Sequence, residues 1–151
     1  MKHLLIVLIS IGFVNITMAQ IVKPVDWSFS SVKKGDNSID VVLTADIDPG
    51  WHIYSQFTPE GGPIPTEVTF VANRAVEITG EVREEGKMEA KMDEMFGVEV
   101  KSYANSVDFK QSVKLKIPVT TYLMGSVEFM VCDNTRCLPP EVKTFKIKLE
   151  K

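Results

Sequence analysis

The sequence predicts an all-β domain built as a β-sandwich, and three observations carry that expectation. Apolar residues recur with a period of two along most of the chain, which is the signature of half-buried strands. Clusters of Gly, Pro and Asn interrupt these runs at short intervals. The length, 151 residues with 44% hydrophobic and 25% charged side chains, suits one globular domain with a single core.

The first segment stands outside that fold. Lys2 and His3 precede an apolar run from Leu4 to Val14, and Thr17-Met18-Ala19 offers a small-x-small cut before Gln20. This is the pattern of a secretory signal peptide spanning residues 1–19. The apolar run is too short for a comfortable membrane span, and no Cys lies at the cut to mark a lipoprotein. Cleavage leaves a domain of residues 20–151 carrying both cysteines into an oxidising compartment.

The strands follow in order. Trp27 and Phe29 alternate with polar residues. In Ser38-Ile39-Asp40-Val41-Val42-Leu43-Thr44-Ala45-Asp46-Ile47 every odd position is apolar. Asp48-Pro49-Gly50 then turns the chain, Pro fixing φ and Gly accepting a positive φ. The loop at 59–65 holds three prolines, which a central strand excludes. Alternation resumes at Val68 and Phe70, at Val107 and Phe109, and along Val113, Leu115, Ile117 and Val119. It returns at Val127, Phe129 and Val131, and ends with Phe145, Ile147 and Leu149. About seven short strands are expected. The stretch 84–97 breaks the period, and it is read as an irregular loop across one end of the sandwich, its Met and Phe side chains covering an apolar edge.

Several function classes fall away on composition. Lys plus Arg total 17 against 20 Asp plus Glu, a net charge of −3, which does not resemble a nucleic-acid binder. Two His and two Cys do not make a four-ligand zinc site, and no metal or cofactor is expected. Serine-hydrolase elbows and phosphate-binding glycine patterns are absent, which leaves a hydrolase or small-ligand carrier without a residue constellation. His52, a lone histidine in Gly50-Trp51-His52-Ile53-Tyr54, is read as structural.

Cys132 and Cys137 remain. Four residues separate them, a spacing that permits a disulfide across a tight turn. If the alternation of Val127, Phe129 and Val131 persists, Cys132 leaves the core side where its strand ends. Closing so short a loop restricts the unfolded chain little, about 2 kcal/mol against nearly 5 for a loop of about 100 residues. The residues alone leave two readings open, a redox pair and a structural clasp on a hairpin. Arg136 beside Cys137 favours a thiolate by charge, and Asp93 and Glu94 oppose it if their segment folds over the cysteines.

Three blocks now carry a resemblance over roughly residues 24–149. They are Asp48-Pro49-Gly50-Trp51-His52-Ile53-Tyr54-Ser55 with Gly61-Gly62-Pro63 behind it, Asp93-Glu94-Met95-Phe96-Gly97, and Val131-Cys132 with Cys137-Leu138-Pro139-Pro140-Glu141. Together they resemble the periplasmic N-terminal domain of the thiol:disulfide interchange protein DsbD. The resemblance implies an immunoglobulin-like sandwich with a redox pair near one end, shielded by a cap loop that opens when a partner docks. Cys137 would form the inter-protein bond and Cys132 would resolve it. Asp93 and Glu94 would tune protonation, while Met95 and Phe96 would guard the disulfide. Met95 stands where the family commonly has a phenylalanine, and the cysteines are one residue closer than in the best-known members.

The implied activity is an electron relay in the periplasm of a Gram-negative envelope. A thioredoxin-like donor reduces the pair, which then reduces an oxidised disulfide isomerase or a thioredoxin-like protein of cytochrome c maturation. A monomer is expected. The sequence ends at Lys151 without a transmembrane carrier or a thioredoxin-like Cys-x-x-Cys domain, so the donor is expected in a separate protein or downstream. The competing expectation is a non-enzymatic exported sandwich that binds a protein partner, its cysteines clasping a hairpin.

Overall fold

The computed structural model describes residues 22–94 and 96–151, so the expected signal peptide and Met95 lie outside the described residues. The chain runs β1 (Val25–Lys33), β2 (Ser38–Ile47), β3 (His52–Tyr54), β4 (Glu67–Phe70), β5 (Val76–Asp93), β6 (Val98–Leu115), β7 (Thr121–Phe129), β8 (Val131–Cys132) and β9 (Glu141–Leu149). The fold is all-β, as the period of two indicated.

Two antiparallel sheets form. The larger has the order β1-β2-β6-β3-β8 with β5 on the other side of β6, and the smaller is β4-β7-β9. β6 organises the larger sheet. Its C-terminal half pairs with β2 and its N-terminal part with β3, while β5 pairs along its other edge. Asn105, with φ at 68°, bulges β6 where it passes from one partner to the other. Val41, Leu43, Phe109 and Val113 of the larger sheet share a core with Leu123, Val127, Phe145 and Leu149 of the smaller one. Trp27 links the two, its ring 5.8 Å from that of Phe109 and 5.3 Å from that of Phe129.

The smaller sheet closes tightly at Gly125. A Cβ there would stand 2.2 Å from the Thr69 carbonyl oxygen and 2.4 Å from the Phe145 ring, so only glycine fits.

Three expectations need correction. The segment expected as an irregular loop over 84–97 is strand through Asp93, with only a hairpin turn beyond it. β5 is an edge strand whose residues from Glu85 to Met92 are exposed on both faces, so burial imposes no alternation on them. Ile117 and Val119 lie past the end of β6 and are exposed, because Pro118 cannot extend the ladder. Finally, Val127, Phe129 and Val131 do not share one strand. β7 ends at Phe129, the chain crosses at Met130, and β8 joins the other sheet.

That crossing delivers the cysteines. Phe129 stays in the main core, and two residues later the chain enters the larger sheet beside β3, with Cys132 at its tip.

Candidate functional site

Cys132 and Cys137 are joined by a disulfide and face each other across a tight antiparallel turn, their Cα atoms 4.0 Å apart. The turn is braced without the sulfurs. Asp133 N–H donates to the Arg136 carbonyl at 2.9 Å, and Leu138 N–H donates to the Val131 carbonyl at 2.9 Å. The Asp133 carboxylate accepts from the Thr135 hydroxyl and N–H, both at 2.7 Å, and from the Arg136 N–H at 2.8 Å. These bonds, the Thr135 hydroxyl first, hold the Asp133 carboxyl below its ordinary pKa. The Arg136 guanidinium lies 3.6 Å from Asp133 and 5.8 Å from the centre of the Trp51 ring.

The two sulfur residues differ in access. Cys132 is 1% exposed and sits in a small apolar cluster with Tyr54 and Val100, distinct from the main core. Cys137 is only partly buried at the edge of that cluster, together with Val98 and Met130.

Strand register assembles the surroundings. β3 pairs His52 with Cys132 and Ile53 with Val131, so Ile53 points to the main core while His52 and Tyr54 share the face of Cys132. On β6, Val98 and Val100 share this face, and their β5 partners Asp93 and Lys91 follow. The result is a cleft of about 370 Å³ lined by His52, Tyr54, Lys91, Asp93, Glu94 and Asp133. One wall is the tip of the β5–β6 hairpin and the other is the cysteine turn.

Of the described residues, Glu94, Phe96 and Gly97 form the hairpin tip. Asp93 O accepts from Gly97 N–H at 2.7 Å, and the Asp93 carboxylate accepts from Phe96 N–H at 3.3 Å. Gly97 closes the turn with φ at 71°, a conformation that favours glycine. Phe96 is half-buried there. Deeper along the same strand, Glu84 accepts from the Ser55 hydroxyl at 2.8 Å, the Tyr103 hydroxyl at 2.8 Å and Gln56 N–H at 2.7 Å. This anchors the end of β3, and with it His52 and Tyr54, against β5 and β6.

The polar groups in the cleft are linked. Tyr54 donates its hydroxyl proton to Asp93, and His52 Nε2 lies 3.1 Å from the same oxygen. A phenol has one proton, so with that proton given to Asp93 the imidazole Nε2 carries the hydrogen that reaches the Tyr54 oxygen. Burial, and then the Asp93 charge, push the Tyr54 pKa up to about 12. Burial pushes the His52 imidazole below its ordinary value and Lys91 adds to this, while Asp93, Asp133 and Glu89 oppose.

Tyr54 supplies a direct check of this geometry. Its folded pKa is raised, so the contribution of its neutral form to stability is full below about 10, the ordinary tyrosine value, and is lost as pH rises through about 12. An ultraviolet titration of the folded protein is expected to show a phenol ionising near 12, and Tyr54→Phe is expected to remove that step. If the Tyr54 step lies at about 10 instead, neither the burial of its hydroxyl nor its hydrogen bond to Asp93 holds.

The structure therefore brings Asp93 and Glu94 into one cleft with Asp133 and Asn134 of the cysteine turn, with Phe96 in the adjoining turn; Cys132 and Cys137 close that turn without lining the cleft themselves. It adds His52, which the sequence marks only as structural, and Tyr54, which the sequence does not mark. Their signal was the closeness of His52-Ile53-Tyr54 to the turn at Gly50, but the partner strand that makes them neighbours of Cys132 lies far along the chain. Among the described residues, no group of three or more His, Cys, Asp or Glu is placed to hold a metal ion.

None of the curated proteins matches the chain in sequence. The N-terminal periplasmic domain of ScsB from Proteus mirabilis is similar in structure, with a TM-score of 0.53 and 18% identity over 81% of this chain. The alignment spans only 44% of that ScsB chain. The N-terminal domain of DsbD from Neisseria meningitidis, solved in the reduced form, also has a TM-score of 0.53, with 16% identity over 82% of this chain and 86% of that one. The family model for the N-terminal region of thiol:disulfide interchange protein DsbD matches residues 19–149, and the chain belongs to that family.

Proposed function

We propose that this chain is a periplasmic thiol–disulfide exchange module, an immunoglobulin-like sandwich in which the β5–β6 hairpin tip serves as the cap over the redox pair. It takes electrons from a thioredoxin-like donor and passes them to oxidised periplasmic proteins, such as a disulfide isomerase or a thioredoxin-like protein of cytochrome c maturation. The observation that carries this reading is the unequal access of the pair, Cys137 partly exposed and Cys132 1% exposed.

The chemistry follows from that inequality. In the reducing step the Cys137 thiolate attacks a sulfur of the partner disulfide, and the partner's other sulfur leaves with the electron pair. Cys132 then attacks Cys137 Sγ, closing the internal disulfide and releasing the partner as a dithiol. Loading from the donor is the same sequence in reverse. Asp93 and Glu94 tune protonation around the sulfurs, and Met95 and Phe96 restrict oxidation by small molecules.

The braced turn favours exchange over a clasp. Asp133 and the two backbone bonds keep residues 131–138 folded back whether or not the sulfurs are joined, so the disulfide adds little to the hairpin. The same bracing keeps two free thiols adjacent for the return step.

The test is exchange itself. The oxidised protein is mixed with a reduced thioredoxin-like domain, the reaction is quenched with a thiol-alkylating reagent at successive times, and the alkylated species are counted by mass. Rapid interconversion of the Cys132–Cys137 disulfide and dithiol is expected. A pair that stays oxidised while the donor remains reduced would make the clasp the better account.

A further inference from the structure

We infer that His52 is the base that takes the thiol proton of Cys132 when this cysteine attacks the mixed disulfide at Cys137. The assignment rests on the exchange reading above and goes beyond it by naming the group that activates the resolving sulfur.

Cys132 needs such a group. A thiol with an ordinary pKa of about 8.5 is mostly protonated at neutral pH, and burial in an apolar cluster disfavours the thiolate further. Cys132 is buried with Tyr54 and Val100, so bulk water is not its proton acceptor. His52 is its direct cross-strand partner on the same face, a placement in which Cβ atoms stand about 4.5–5.5 Å apart.

The imidazole is held in the useful tautomer. Tyr54 gives its proton to Asp93 and receives that of His52 Nε2 at 3.1 Å, which leaves Nδ1, the ring nitrogen nearer the backbone, as the acceptor. Charged and titratable groups surround the ring from each neighbouring element. Glu89, Lys91 and Asp93 come from β5, Glu94 from the hairpin tip, Asp133 from the cysteine turn, and Tyr54 from β3 itself. Burial and Lys91 keep the ring neutral and ready to accept, and the carboxylates steady the imidazolium once the proton arrives.

The step balances. The proton moves from Cys132 Sγ to His52 Nδ1, the Cys132–Cys137 bond forms, and the bond from Cys137 to the partner sulfur breaks. The partner leaves as a thiolate and takes a proton from solvent. In the loading direction His52 returns its proton to Cys132.

A chromogenic disulfide separates the two steps. Reduced protein mixed with dithiobis-nitrobenzoate releases one nitrothiolate when Cys137 attacks and a second when Cys132 resolves. In His52→Gln the second release is expected to slow by about 10- to 100-fold near neutral pH, with the first release and thermal stability unchanged. The wild-type second phase is expected to rise with pH through an inflection below about 6.5, whereas the variant rises only through the thiol range near 8.5. His52→Ala should be slow likewise and regain rate with added imidazole.

A second phase that keeps its rate and pH profile in both variants would overturn the assignment. So would a wild-type profile with only the thiol inflection, even if neither variant folds. A protein whose second phase depends on His52 but which fails to exchange with a thioredoxin-like domain would overturn the exchange reading alone.

Discussion

Replacing Cys137 with Ser is expected to abolish covalent contact with any partner, while replacing Cys132 with Ser is expected to trap it. Exchange begins with in-line approach of one sulfur to another, so the sulfur that starts it must be reachable. Cys137 meets that condition because it is partly exposed, whereas Cys132 is 1% exposed in its cluster with Tyr54 and Val100. The trap requires a thioredoxin-like donor whose own resolving cysteine is also replaced, since otherwise the donor breaks the bond from its side, and whose remaining cysteine is first converted to its nitrothiobenzoate mixed disulfide, so that the Cys137 thiolate attacks the donor sulfur and nitrothiolate leaves. With that donor, Cys132→Ser is expected to accumulate a disulfide-linked complex close to one-to-one on a non-reducing gel, and Cys137→Ser none. Steady-state transfer should fall to background in both. A complex that forms through Cys132 instead would reverse the assigned order.

The second large effect lies in the core. Phe129 is 1% exposed, its ring 5.3 Å from that of Trp27, and it is the last residue of β7 before the chain crosses to the other sheet. Phe129→Ala removes a full ring where Trp27 and the two sheets leave little room to collapse. The expected cost is about 3–5 kcal/mol, a large share of the 5–15 kcal/mol that holds a typical domain together. Urea unfolding followed by tryptophan fluorescence is expected to show a lower midpoint with an unchanged slope. Because Cys132 follows three residues later, the variant should also expose Cys132 to alkylation in the reduced protein faster than global unfolding allows. A loss below about 1 kcal/mol would mean that Phe129 does not join the two sheets.

The parts of the fold that were legible in the sequence are those where one face packs apolar residues into the core and the other carries mostly polar ones. The run from Ser38 to Ile47 became β2 with the same limits, its odd positions facing the core, because β2 lies beneath the smaller sheet. The segment at 84–93 was illegible for the opposite reason. With solvent on both faces of an edge strand, polar and apolar residues are nearly equivalent, and only the pairing with β6 makes it a strand. The crossing at Met130 left no mark either, since Phe129 and Val131 are buried on both sides of it, in different sheets.

For the site, local motifs marked the cysteine turn and Asp93-Glu94, whose placement around one cleft the fold supplies. Neighbours made by long-range pairing were beyond them. His52 meets Cys132 only because β8 joins β3, and Tyr54 meets Asp93 only because the β5–β6 hairpin extends past the end of β3.

Whether the Cys132–Cys137 bond is made to be exchanged is decided by its reduction potential. Equilibrating the protein against a thioredoxin-like dithiol of known potential and trapping the thiols is expected to give a value of roughly −180 to −270 mV, the range of catalytic disulfides. A value below about −300 mV, where structural disulfides lie, would make the pair a clasp on the hairpin of a binding module.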